Sequence, residues 1–185
     1  MTDLKHTTPT KLLWVDLEMT GLDPAADVIL EIAAEITDFD FTPLASYEAR
    51  VKHSRSDVAE LMKANQWWDA YPANRDDFLT KMEGEQAKPL AQVEQELMAL
   101  VRAQFGDEMA VLAGNSIHAD RGFIEAHWPE LTKMLHYRML DVTSWKVVMQ
   151  SKFGLEYTKK ETHRAFDDIH ESIEELQFYL RKLGK

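Results

Sequence analysis

Asp16 and Glu18 flank a single leucine in the run Lys11-Leu-Leu-Trp-Val-Asp-Leu-Glu18. If that run is a strand, both carboxylates project from one face, roughly 6.6 Å apart along the chain, and Leu17 points to the other. Two carboxylates on so apolar a strand are costly to bury unpaired. A hard divalent cation removes that cost, because oxygen ligands are what Mg²⁺ and Mn²⁺ prefer. The plainer alternative ends the strand at Asp16 and leaves both acids to water. Far along the chain, His163-Arg-Ala-Phe-Asp-Asp168 pairs an imidazole with a carboxylate at H-x-x-x-x-D spacing. A histidine of ordinary pKa, about 6.5, can take a proton from water near neutral pH. The plainer alternative here is a surface helix with an aspartate in its first turn and an unrelated histidine. Asp120 follows the loop Gly114-Asn-Ser-Ile-His-Ala. Its default role is to cap the next helix, although that loop lies at the carboxyl end of a strand, the usual edge for active sites in α/β sheets. Asp141 and Asp167 are competing acids that spacing does not exclude.

The elements that must carry these groups follow from the apolar pattern. Behind His163 the positions Ala165, Ile169, Ile173, Leu176 and Leu180 form the stripe of a helix buried on one face. That helix runs from about Arg164 to Lys182, with Thr162 as a candidate N-cap. Asp168 flanks the stripe. His163 converges on it only from the loop or first turn that enters the helix. Lys11–Glu18 reads as a buried strand, and 19–24 as turn chemistry around Gly21 and Pro24. Val28–Thr37 is β-branched and short, so it reads as a second strand, with helix competing. A third strand lies near Ser46–Val51. Val58–Met82 is helical but broken at Pro72, and Trp67, Trp68 and Tyr71 within it are read as core or a subunit contact. Leu90–Phe105 is a helix that stops at Gly106. Met109–Ala113 and Met139–Val142 are short strands, Thr143–Phe153 is a helix, and 154–162 is a polar loop. Three strands followed by alternating helix and strand favour an α/β fold with a mixed central sheet flanked by helices.

Composition narrows the functional classes. The chain has 185 residues with 45% hydrophobic content, which excludes a disordered chain and allows a sizeable core. Residues 1–10 read as a flexible end and 11–183 as a single domain. There is no cysteine, so neither a disulfide nor a thiolate metal site is available, which suits a cytoplasmic protein. No apolar run is long enough to span a membrane. The net charge of −11 comes from 32 acidic against 21 basic residues. A long polyanion would be repelled over much of this surface, so a nucleic-acid ligand must be short or gripped at few points.

Asp16, Glu18, Asp120, His163 and Asp168 also stand in motifs. Asp16-Leu-Glu-Met-Thr-Gly-Leu22 resembles the first motif of the DEDD exonuclease superfamily. Ala113-Gly-Asn-Ser-Ile-His-Ala-Asp-Arg121 resembles its second, and His163-Arg-Ala-Phe-Asp-Asp-Ile169 its third, in the histidine subclass. His136-Tyr-Arg-Met-Leu-Asp-Val142 brings the chain nearest to the oligoribonuclease family. The similarity runs from about Leu13 to Leu180.

That resemblance implies a ribonuclease H-like fold, a homodimer, and 3′→5′ hydrolysis of very short RNA, dinucleotides above all. It implies that Asp16, Glu18, Asp120 and Asp168 hold two Mg²⁺ or Mn²⁺ ions, with His163 as general base and Tyr137 catalytic. It places Leu22 between substrate bases, and Ser116, Arg138, Thr143 and Ser144 around the 5′-phosphate, some from the second subunit. One departure stands out. The family carries a histidine near the 5′-phosphate in the segment after its tryptophan, and residues 65–83 here have none. A DNA-proofreading or tRNA-trimming exonuclease of the same superfamily is the alternative within enzymes. A non-catalytic nucleic-acid-binding module on this fold is the alternative outside them. The chemistry is coherent in itself: two metals relieve charge at the reacting phosphate and lower the water pKa, and no side-chain nucleophile is required.

Overall fold

The computed structural model describes residues 8–82, 84, 86–158 and 165–184. Strands β1 (Lys11–Met19), β2 (Ile29–Asp38) and β3 (Pro43–Arg50) form an antiparallel meander. β4 (Ala110–Gly114) pairs in parallel with β1, and β5 (Leu135–Asp141) in parallel with β4. The sheet order is β3-β2-β1-β4-β5, so β1 is central and β5 is an edge. β2 is a strand because it is buried along nearly its whole length between β1 and β3, with both faces covered. An amphipathic helix would have left one side polar.

Alternation along β1 sorts its side chains between two cores. Leu13, Val15 and Leu17 join a cluster with Val93, Leu97 and Val101 of helix α4 (Leu90–Phe105) and Phe123 and Ile124 of α5 (His118–His127). Leu12 and Trp14 face the other way, onto Val142 of α7 (Val142–Phe153) and Ile169, Ile173 and Leu176 of α8 (Ala165–Lys182). The stripe expected of the last helix is therefore the surface that covers this face. Asp16 and Glu18 continue the Leu12–Trp14 side of β1, the side on which α8 lies.

Several boundaries differ from the sequence expectation. β3 begins at Pro43 rather than Ser46, since Thr37 pairs with Pro43 across a bulge and an edge strand tolerates a proline. β5 spans Leu135–Asp141 rather than Met139–Val142, because Ala110 pairs with Leu135 and Val142 already opens α7. The region 55–81 is three helices: α1 (Arg55–Ala64), α2 (Trp67–Ala70) and α3 (Pro72–Lys81). Pro72 does not interrupt a helix but begins one, where its missing N–H costs nothing. A short α6 (Pro129–Thr132) precedes β5. His163, with Thr162 and Arg164, lies outside the described residues. Among the described residues no helix is long and apolar enough to cross a membrane.

Candidate active site

Carboxylate oxygens of Asp16, Glu18 and Asp168 lie within 4.8 Å of one another. The first two come from the end of β1, on one face as their spacing requires. The third comes from the first turn of α8. The stripe of Ile169, Ile173 and Leu176 seals α8 to the sheet, and that packing holds Asp168 over the strand.

Asp120, from α5 in the other core, stands beside this trio rather than within it, near enough to repel the Glu18 carboxylate. It does not cap α5, whose N-cap is Ile117 with no side-chain bond. It is buried in the first turn and accepts a hydrogen bond from the Leu17 amide at 2.9 Å. The amide between the two β1 acids thus anchors a third carboxylate. Burial pushes the Glu18 carboxyl up to about 8, with Asp168, Glu31 and Asp120 adding repulsion. Burial also lifts Asp120 to about 7, against the opposing pull of the Leu17 amide. Four acids crowded together, two of them holding protons near neutrality, are unfavourable on their own. A divalent cation fits this donor set: hard oxygens, net negative charge, and a cost of burial that only positive charge relieves.

The competing acids are accounted for. Asp141 caps α7, accepting from the Thr143 amide at 2.9 Å and the Ser116 amide at 3.0 Å. Asp167 is exposed on α8. Glu31 is an acid the sequence reading missed. It sits opposite Glu18 in the β1–β2 register and is neutralised by Arg50 Nε at 2.9 Å. No motif points to it, since only the pairing register brings the two together.

Around the carboxylates, Leu22 stands 81% exposed on the turn after β1. That turn is tightly bonded. Asp27 accepts from the Thr20 hydroxyl at 2.8 Å and the Asp23 amide at 3.0 Å. The Thr20 carbonyl accepts from Trp68 Nε1 at 2.8 Å and Asn65 Nδ2 at 3.0 Å. The tryptophan pair therefore divides its labour. Trp68 is core and pins the Leu22 turn, whereas Trp67 is partly exposed and packs on Tyr71 with ring centroids 4.4 Å apart.

On the far edge, Ser116 and Thr143 are adjacent, with the Ser116 amide donating to Thr143 Oγ1 at 2.9 Å. Ser116 has a left-handed backbone, φ 50°. The start of α5 lies just beyond it, and Thr143 and Ser144 open α7. Two helix N-termini thus meet here, and the Asp141 carboxylate already accepts from the Ser116 and Thr143 amides between them. Tyr137 and Arg138 lie on the open edge β5, Tyr137 68% exposed and the guanidinium 5.3 Å from its ring.

The family profile described as Exonuclease (RNase_T) matches residues 13–176. The chain is 38% identical to the mitochondrial oligoribonuclease of Mus musculus over 179 residues, 95% of this chain and 74% of that protein. It is 39% identical to the oligoribonuclease of Francisella tularensis subsp. novicida over 173 residues, 93% of this chain and 95% of that protein. Among solved structures it resembles an Exonuclease I from Methylocaldum szegediense, with TM-score 0.65, 15% identity and 94% of this chain covered. A zinc-bound complex of E. coli exonuclease I with single-stranded DNA gives TM-score 0.67 at 12% identity, covering 95% of this chain. The chain spans 41% of the length of each of those structures. These likenesses show a ribonuclease H-like exonuclease fold.

Proposed function

The chain belongs to the RNase_T exonuclease family, among the oligoribonucleases, and from that premise we propose that it is a 3′→5′ exoribonuclease acting on very short RNA. The carrying observation is the meeting of Asp16, Glu18 and Asp168 within 4.8 Å. With Asp120 these residues would hold two divalent cations, Mg²⁺ or Mn²⁺. Two such ions, when bound, stabilise the attacking and leaving oxygens of an in-line displacement and lower the pKa of water.

The protein's own groups do the rest. His163 accepts the proton of the attacking water. Leu22 wedges against the bases, held out by the bonded turn from Thr20 to Asp27. Ser116, Thr143, Ser144 and Arg138 take the 5′-phosphate, a placement supported by the neighbouring hydroxyls of Ser116 and Thr143, 3.2 Å apart. The chain acts as a homodimer, in which Tyr137 and Arg138 complete the site of the neighbouring protomer. The exposed apolar groups Tyr137, Met139, Val147, Val148 and Phe153 on β5 and α7 support that assembly. The net charge is −11, so a long polyanion is repelled over much of the surface. The substrate is therefore held in a compact pocket, and dinucleotides are the best substrates. The absence of cysteine supports a cytoplasmic setting.

The test is hydrolysis by purified protein with Mn²⁺ of end-labelled dinucleotides, longer RNA and DNA, with products resolved by length. Dinucleotides should be consumed fastest and yield mononucleotides. DNA turned over faster than RNA of the same length would replace this reading with a DNA-proofreading exonuclease of the same superfamily.

A further inference from the structure

A directed chain of hydrogen bonds joins the pocket for the 5′-phosphate to the helix that bears Asp168. The Ser116 amide donates to Thr143 Oγ1 at 2.9 Å, and the Thr143 hydroxyl donates to Asn115 Oδ1 at 3.2 Å. Asn115 Nδ2 donates to Ser172 Oγ at 2.7 Å, and that hydroxyl donates to the Asp168 carbonyl at 2.8 Å. Each hydroxyl in the chain accepts on one side and donates on the other, so the protons run in one direction from the loop after β4 to α8. Nδ2 also lies 3.4 Å from Glu175 Oε2, and the other oxygen of this fully buried carboxylate accepts from Tyr179 at 2.8 Å. The Asn115 amide is thus engaged on both its sides by groups from two helices.

We propose that Asn115 is a positioning residue that couples occupation of the 5′-phosphate pocket to the placement of the Asp168 carboxylate. The inference rests on the short-RNA reading above, which puts the phosphate beside Ser116 and Thr143. A phosphate that draws on the Thr143 hydroxyl pulls against Asn115. The pull passes through Ser172 to the turn of α8 that carries a metal ligand. Binding at one end of the dinucleotide then alters cation affinity at the other, and by linkage the cation alters affinity for the 5′-phosphate by the same factor.

The test is calorimetric titration of Mn²⁺ into the full chain saturated with a methylphosphonate-linked dinucleotide, which resists hydrolysis, with and without a 5′-phosphate. In the wild type the 5′-phosphate should change Mn²⁺ affinity by about fivefold or more, the lower end of typical coupling. Asn115→Asp keeps an acceptor for Thr143 but sets a carboxylate oxygen against Ser172 and Glu175. It should bring the factor below about twofold. Adding Glu175→Gln supplies a donor and should restore part of the factor. Ser172→Ala removes the link without a new charge and should act like Asn115→Asp. A variant pair that keeps the wild-type factor would overturn the proposal. So would equal losses with both ligands and no rescue by Glu175→Gln, which is what a merely structural asparagine gives. Wild type that hydrolyses dinucleotides but shows no 5′-phosphate effect on Mn²⁺ removes the coupling and leaves the short-RNA reading standing. Wild type that hydrolyses no dinucleotide removes both.

Discussion

The Leu17 amide donates to the Asp120 carboxylate at 2.9 Å. Leu17 is the residue between Asp16 and Glu18, so a single bond from backbone amide to side-chain carboxylate ties the end of β1 to the first turn of α5. The strand cannot shift without moving three acids together.

Asp16→Asn and Asp168→Asn should each lower hydrolysis more than tenfold while leaving circular dichroism unchanged. Each removes a charge that holds a cation, and the cation is worth several kcal/mol at the transition state. Steady-state rates beside dichroism spectra check this. Retention of about a tenth or more of the wild-type rate contradicts the assignment.

Without a cation, stability should fall as pH rises through neutrality. Glu18 is raised to about 8 and Asp120 to about 7 by burial. Raised carboxyls favour folding while protonated. Their contribution is complete below the unfolded values of about 4 and is lost as pH climbs through the folded ones. Melting in chelator between about pH 5 and pH 9 should show Tm declining from the acid end and levelling off above about pH 8, and saturating Mn²⁺ should flatten the decline. Cation binding near pH 7 should also release protons, visible as calorimetric heats that vary with buffer. A Tm that climbs with pH in chelator would contradict the crowding of these acids.

Gly21→Ala should damage the turn that presents Leu22. A Cβ there would press directly into the Asp27 carboxylate. Asp27 cannot retreat, because its oxygens hold Thr20 and the Asp23 amide. The expected result is a KM for dinucleotides raised about tenfold or more, with Mn²⁺ affinity little changed. Trp68→Phe loosens the same turn from below by removing the bond to the Thr20 carbonyl, and should cost about 1–3 kcal/mol in denaturant unfolding. An unchanged KM for Gly21→Ala would detach Leu22 from substrate.

Light scattering at micromolar concentration should give twice the 21.4 kDa chain mass. Val148→Asp places a charge in the apolar patch on α7 and should shift the protein to monomer, with activity falling in parallel. A fully active monomer at nanomolar concentration refutes a shared site.

Much of this was legible in the sequence. Spacing set Asp16 and Glu18 on one strand face, because side chains alternate along any strand. The helical stripe from Ile169 to Leu176 aimed α8 at the sheet, and the three motifs carried the family. These are local properties, and they survive without knowledge of what the segment packs against.

Pairing between distant segments was decided only by the tertiary structure. Asp120 was legible as a helix cap, yet one oxygen of its carboxylate accepts from an amide 103 residues away. Asp141 was legible as a rival ligand, yet it caps α7 and holds Ser116. Trp67 and Trp68 are alike in sequence, and only burial separated the pillar under Thr20 from its exposed neighbour. Glu31 gained its place beside Glu18 from the β1–β2 register, and Asn115 its bonds from α7 and α8 arriving on either side. A residue's type and its near neighbours determine which face it occupies. What it meets there depends on strands and helices brought together by burial of the two apolar cores, and that closure has no local signature.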